Sequence, residues 1–222
     1  MESSRQTHSS FPMLAHRNNR VAEVPRFCRD LIVKRMKLHK DVLSRLGRRA
    51  GGFSRIFELL ERKRRVQGPL SLVETGCLRS LNWAGDGCSS ILFHEFSVRT
   101  RSKFLSIDVR REHCVHARRY CPKATVLCGD SVATLYRLRG VLKRIDFLYL
   151  DSLDVDWNDP RPSALHHLKE LCAAAPMLSR GAIVFVDDNA ENSGKPLYVK
   201  DYMQSIGARK VHDDYQIGFV MP

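Results

Sequence analysis

The sequence predicts an α/β fold: a doubly wound sheet, mostly parallel with an antiparallel C-terminal strand, preceded by an N-terminal helical extension. Three observations lead there. From residue 71 onward, short apolar runs of strand length alternate with helix-like stretches. The runs are apolar at consecutive positions, as in "IDFLYLD" (145–151) and "GAIVFVDD" (181–188), which is the pattern of strands covered on both faces. The last two runs are separated only by Asp213-Asp214. That gap is too short for a parallel crossover, so those two strands form an antiparallel hairpin.

The elements follow in order. Residues 1–25 are polar and read as a loose tail. Arg26 to Leu46 carries an apolar stripe of helical period, broken by Gly47 and the Gly51-Gly52 pair. Phe53 to Val66 reads as a second helix, ended by Gly68-Pro69. Strands are expected at Ser71–Thr75, Lys103–Val109, Thr125–Cys128, Ile145–Asp151 and Ala182–Asp187. Between them lie helices at Cys88–Phe96, Arg111–Tyr120, Ser131–Val141 and Ser163–Met177. A helix at Leu197–Ser205 leads to the hairpin, Arg209–His212 and Tyr215–Met221. The division is then a tail (1–25), a basic helical extension (26–69) and an α/β body (70–222).

Composition narrows the function classes. Hydrophobic content of 43% suits a packed core, and no apolar run approaches the ~20 residues that cross a bilayer. Seven cysteines, Cys28, Cys77, Cys88, Cys114, Cys121, Cys128 and Cys172, include no C-x-x-C pair. Neither a zinc site nor a disulfide framework is expected, and the location read from them is cytoplasmic, intracellular and reducing. The Arg- and Ser-bearing start leaves organelle import open. Charge is uneven: residues 1–70 hold 17 Lys/Arg against 6 Asp/Glu, a net +11 out of +13 for the chain. Residues 26–66 therefore suit either a solvated basic helix pair or a contact with nucleic acid or an anionic membrane.

Ligands of open parallel sheets bind outside the carboxyl ends of the strands. Every expected strand here ends in an acid: Glu74 before Gly76, Asp108, Asp130-Ser131, Asp151, and Asp187-Asp188-Asn189. The loop after the first strand lacks G-x-G-x-x-G, and the only Gly-Lys pair, Gly194-Lys195, is followed by Pro196. Both phosphate-cradling motifs are therefore missing. An adenosine without phosphates fits better, and S-adenosylmethionine (SAM) is such a ligand. Asp108 would accept from its ribose diol, and Asp130 and Ser131 would meet the adenine. Glu74, Gly76 and Gly87 would let the backbone approach the methionyl part. Ser89 and Ser90, opening a helix, would hold its carboxylate, and the acidic rim, Asp151 included, would favour the sulfonium.

The order of "VETGCLRSLNWAGDGCSS", "FLSIDV", "CGDSVATL", "IDFLYLDSLDVDWNDPRPSALHHLKEL" and "GAIVFVDDN" resembles the class I SAM-dependent methyltransferases, over residues 70–222. It is most similar to a group of methyltransferase-like proteins. The resemblance implies a Rossmann-like sheet and methyl transfer to an acceptor, a small molecule or otherwise, that the sequence does not name. Asp151 and Asp188-Asn189 are similar in position to the metal ligands of catechol-type O-methyltransferases. That implies a divalent ion such as Mg2+ on Asp151, Asp188 and Asn189; without it, the same groups would bind a cationic or hydroxylated substrate. Asp154, Asp156 and Asp187 are nearby alternatives.

Asp151, Asp188, Asn189 and Lys195 are the candidate catalytic residues. Lys195 would contact a substrate anion, serve as a base if desolvated, or remain a solvated loop lysine. His166 and His167, adjacent on one helix, point about 100° apart and are not expected to share a site. Trp83 and Trp157 would wall the pocket or pack in the core. The alternative to an enzyme is a catalytically silent nucleoside-binding module that contacts nucleic acid or membrane through the basic helices.

Overall fold

The computed structural model describes residues 40–86 and 88–222. The tail and most of the helix expected over 26–46 lie outside those residues, as does Gly87. Within the expected span the described residues form α1 (Lys40–Arg45), followed by a 3-10 turn (Gly47–Arg49) and α2 (Ala50–Gln67).

The Gly51-Gly52 pair does not break a helix; it lies in the first turn of α2. The reason is close packing. A Cβ on Gly52 would lie 1.9 Å from the side chain of Gln216, which is fully buried and donates to Tyr149 Oη at 2.5 Å. α2 is also no appendage. Phe53, Ile56, Phe57 and Leu60 are buried, each contributing about 2 kcal/mol of apolar transfer energy. Their rings continue into the core, Phe53 with Tyr149 and Phe57 with Phe96 at centroid distances of 5.9 and 5.8 Å. On the outer face, Glu58 binds Arg55 and Arg62, and Glu61 binds Arg64 and Arg65.

The body follows the expected alternation: β1 (Ser71–Thr75), α3 (Trp83–Asp86), α4 (Ser89–Thr100), β2 (Lys103–Asp108), α5 (Arg111–Tyr120) and β3 (Thr125–Cys128). Then come α6 (Ser131–Leu138), β4 (Ile145–Leu150), α7 (Arg161–Ala174), β5 (Leu178–Val186), a two-rung hairpin β6 (Asn189–Ala190) and β7 (Ser193–Gly194), α8 (Leu197–Ser205), β8 (Arg209–Asp213) and β9 (Ile217–Val220). The seven-stranded sheet has the order β3-β2-β1-β4-β5-β9-β8. The β8–β9 hairpin forms as expected, but its second strand is the one that pairs with β5, antiparallel, leaving β8 at the edge. One face of the sheet is covered by α2, α4 and α5 through Leu72, Phe147, Tyr149 and Phe185; the other by α6, α7 and α8 through Val73, Leu148, Leu150 and Val184. Strand order reverses between β1 and β4, which opens a crevice at their carboxyl ends. Among the described residues, no helix is long and apolar enough to cross a membrane.

Candidate active site

A cleft of about 480 Å³ lies at that switch point, lined by Gly76, Cys77, Ser89, Asp108, Asp151 and Asp154 among others. Its volume suits a ligand of nucleoside size. A larger hollow of about 980 Å³ runs along α8 and the β8–β9 hairpin, away from the ends of β1 and β2. Gly76 makes the cleft possible. Its φ is +82°, and a Cβ there would lie 2.3 Å from the Asp151 carbonyl oxygen, so only glycine lets the loops after β1 and β4 meet. Asp108 accepts from the backbone N–H groups of Cys77 (3.0 Å) and Arg110 (2.8 Å), and its Oδ2 lies 3.2 Å from His113 Nδ1. Arg79 forks onto Asp154 at 2.8 and 2.9 Å, tying the loop after β1 to the loop after β4.

Of Glu74, Asp108 and Asp130, the acids expected beside the methionyl part, ribose and adenine, only Asp108 lines the cleft. Glu74 is fully buried and accepts from the hydroxyls of Ser89 (2.5 Å), Ser90 (2.6 Å) and Ser106 (2.8 Å). The Ser89 and Ser90 hydroxyls are thus turned onto Glu74, not presented to a ligand. Burial pushes the Glu74 carboxyl up to about 7, and the three hydroxyls only partly offset it. Asp130 is exposed and caps α6 by accepting from Ala133 N at 2.8 Å. That is the cheapest use of an Asp just before a helix. Ser131 Oγ lies 3.1 Å from His166 Nε2, outside the cleft lining.

Beside the cleft, Asp151, Asp187 and Asp188 bring carboxylate oxygens within 4.8 Å of one another. Asp188 has a φ of +48°, which turns the chain so that consecutive residues Asp187 and Asp188 both face the cluster. The same turn sends Asn189 away: its side chain donates to Asp213 (3.1 Å) and to the Asp214 carbonyl (2.6 Å). Asn189 therefore does not join the cluster, and Asp187 takes the place expected for it.

Two cations of the chain hold these acids. Lys195 is fully buried; its Nζ contacts Asp151 Oδ1 and lies 2.9 Å from Asp188 Oδ2. Arg49 Nε donates to Asp187 at 2.8 Å and Nη2 to Asp188 at 3.4 Å, while Nη1 reaches the Gly85 carbonyl at 3.0 Å. Tyr215 donates its hydroxyl to Asp188 and lies beneath the guanidinium groups of Arg48 and Arg49. Burial alone would lower the Lys195 pKa, but Asp151, Asp188 and Asp187 outweigh it and hold the side chain as an ammonium. Burial, then Asp187 and Asp188, pushes Asp151 well above the usual carboxylate range against the pull of Lys195. Asp188 goes the other way: Lys195, Tyr215 and Arg49 together overcome its burial and lower it. Three hard oxygen donors suit a divalent cation in kind. As arranged they do not fit one, because Lys195 and Arg49 already occupy them.

Sequence reading missed Arg49, and the signal was present. Leu46, Arg49, Phe53, Ile56 and Leu60 fall on one helical stripe, and all five are buried. The histidine pair also differs from expectation. His166 at i,i+4 and His167 at i,i+3 both approach Glu170, at 3.3 and 3.9 Å, since those two spacings share a helix face. Burial lowers His167 to about 4, so it is neutral there. Glu170 also accepts from Thr75 Oγ1 at 3.1 Å, tying α7 to β1. Trp83 is buried in the core and Trp157 is exposed. The six described cysteines are free thiols.

No protein-family model and no curated protein matches the chain. Solved structures do. MycE methyltransferase from the mycinamycin biosynthetic pathway, in complex with Mg, SAH and mycinamycin VI, matches with a TM-score of 0.54 at 14% identity, over 76% of this chain and 49% of that one. The O-methyltransferase NovP matches with a TM-score of 0.50 at 16% identity, over 82% of this chain and 78% of NovP. The chain spans about half the length of MycE. At these identities the likeness is one of fold: the seven-stranded, mostly parallel sheet with its reversed strand is Rossmann-like and of the kind found in methyltransferases.

Proposed function

We propose that the chain is a SAM-dependent methyltransferase acting on a hydroxyl-bearing acceptor. The observation that carries this is the shared lining of one cleft: Asp108, the Gly76 turn and Asp151 of the carboxylate cluster all face it. SAM, when bound, supplies a methyl group on a positively charged sulfur. It passes to the acceptor oxygen as the carbon–sulfur bond breaks, and the acceptor loses a proton.

The chain's part is to bind, align and take that proton. A carboxylate offers about four acceptor positions. Cys77 N, Arg110 N and His113 face three of those on Asp108, which leaves room for one bond to a ribose hydroxyl. Alignment of reactants can be worth up to ~7–11 kcal/mol, so a direct displacement needs no protein nucleophile. Asp151, whose proton affinity is raised, is the group to accept the hydroxyl proton. Lys195 keeps its own proton and orients Asp151. The absence of a phosphate-cradling loop and the acidic lining both favour a sulfonium over a dinucleotide.

Calorimetric titration with S-adenosylhomocysteine tests this. Binding is expected in the wild-type chain and at least roughly a tenfold loss in Asp108→Asn. No detectable heat or melting shift at millimolar ligand would remove the reading.

A further inference from the structure

We infer that the Lys195 ammonium is the resident cation of the Asp151–Asp187–Asp188 cluster, standing where a divalent ion would otherwise bind. Only its consequence for catalysis, methyl transfer beside a fixed ammonium in place of a metal, rests on the methyl-transfer reading.

The loop is built to deliver this side chain. Lys195 follows the β6–β7 hairpin, which folds back on Asp188: Asn189 pairs with Gly194, and Lys195 N donates to the Asp188 carbonyl at 3.2 Å. Gly194 has a φ of +85°, and a Cβ there would sit 2.1 Å from that same carbonyl. The chain can therefore pass this close to Asp188 only as glycine, and the next side chain enters the protein. Lys195 is among the largest fully buried side chains described. A lysine that could reach solvent normally extends its charged end there; this one ends on Asp151 and Asp188.

The charges match. Three carboxylates face two fixed cations, with Arg49 on Asp187 and Asp188 and Lys195 on Asp151 and Asp188. Asp187 Oδ1, which has no hydrogen-bond partner among the described residues, is left as a single acceptor, and it still feels the Lys195 charge. A divalent ion would need the very oxygens that Lys195 holds, at the shorter distances of about 2.0–2.6 Å. It would also face the ammonium at close range, so the two are exclusive. Removing the ammonium should uncover the carboxylates as a hard-cation site.

The test is Mn2+ uptake by the chelator-treated full chain, read from the loss of the free-ion electron paramagnetic resonance signal. The wild type is expected to take up none at the cluster. Lys195→Met is expected to bind Mn2+ at least roughly tenfold more tightly than the wild type, and to lose that gain when Asp187→Asn is added. Uptake by the wild type that Asp187→Asn abolishes overturns the inference. So does a folded Lys195→Met chain that binds no better than the wild type. Should Lys195→Met not fold, the wild type and Asp187→Asn decide: equal uptake by the two supports the inference, and wild-type uptake that Asp187→Asn abolishes defeats it. The measurement uses neither SAM nor an acceptor, so its failure and the failure of the methyl-transfer reading are separate events.

Discussion

Replacing Glu74 with glutamine should make the chain more resistant to unfolding at alkaline pH relative to the wild type. Glu74 is fully buried among the hydroxyls of Ser89, Ser90 and Ser106. Its carboxyl is raised from 4.5 to about 7, by burial first and by nearby Asp108. A folded-state pKa above the unfolded one means that the native chain keeps a proton the unfolded chain has released. This contribution is therefore fully present below pH 4.5 and is lost as pH rises through about 7. The shift corresponds to about 3 kcal/mol. Glutamine has nearly the same volume and does not titrate, and rotation of one serine hydroxyl lets it accept from the new amide.

Urea unfolding from pH 4.5 to 8.5 reads this as the difference between Glu74→Gln and the wild type, in which other titrating groups cancel. That difference should move in favour of the variant by about 3 kcal/mol. With a urea slope near 2 kcal/mol per molar, the relative midpoint moves by about 1.5 M. A difference constant to within about 0.5 kcal/mol over the whole range would refute the reasoning. It would mean that the three hydroxyls hold Glu74 ionised despite its burial.

Gly76→Ala places a Cβ 2.3 Å from the Asp151 carbonyl oxygen at a φ of +82°. It should cost more than about 1 kcal/mol in chemical unfolding and weaken S-adenosylhomocysteine binding, because the loops after β1 and β4 must part. Arg49→Met leaves the buried Asp187 without its charge partner and should cost about 3–5 kcal/mol. Adding Asp187→Asn should recover part of that loss, and a thermal-unfolding double-mutant cycle measures the recovery.

Where one physical demand acted on a segment, its fold was legible. The strands β1 and β3 and the helices α5 and α8 have the expected bounds, since a covered strand or an amphipathic helix leaves a periodicity that turn residues cut cleanly. Legibility failed where two demands competed. Gly51-Gly52 reads as a helix breaker on propensity, yet close approach to Gln216 uses the missing side chain of Gly52 inside α2. Asp130 at a strand end reads equally as a ligand group or a helix cap, and the cap prevails. Asn189 and Asp187 exchanged roles because the backbone turn at Asp188, invisible in residue type, decides which neighbour faces inward. Lys195 was legible as a candidate, but nothing in "NSGKPLY" says that its ammonium is buried rather than solvated.

Charge distribution suggested a basic extension separable from a nearly neutral body, but the contacts do not separate that way. Arg49 precedes α2 in sequence, yet its guanidinium completes a cluster assembled from the ends of β4 and β5, the lysine before α8 and the tyrosine before β9. The next turns of α2 add Phe53 and Phe57 to the aromatic core over Phe93, whose ring also meets Phe147 and Tyr149 of β4. A chain starting after α2 would expose that aromatic face and leave Asp187 buried without its arginine. The surplus of positive charge over residues 40–67 is thus partly internal: one arginine balances the acids beside the cleft, and four others meet Glu58 and Glu61. Because the cluster draws on segments 138 residues apart in the case of Arg49 and Asp187, it can form only once both ends of the domain have docked. A site that depends on the completed fold in this way ties the cleft's electrostatics to the helix layer on the opposite end of the chain.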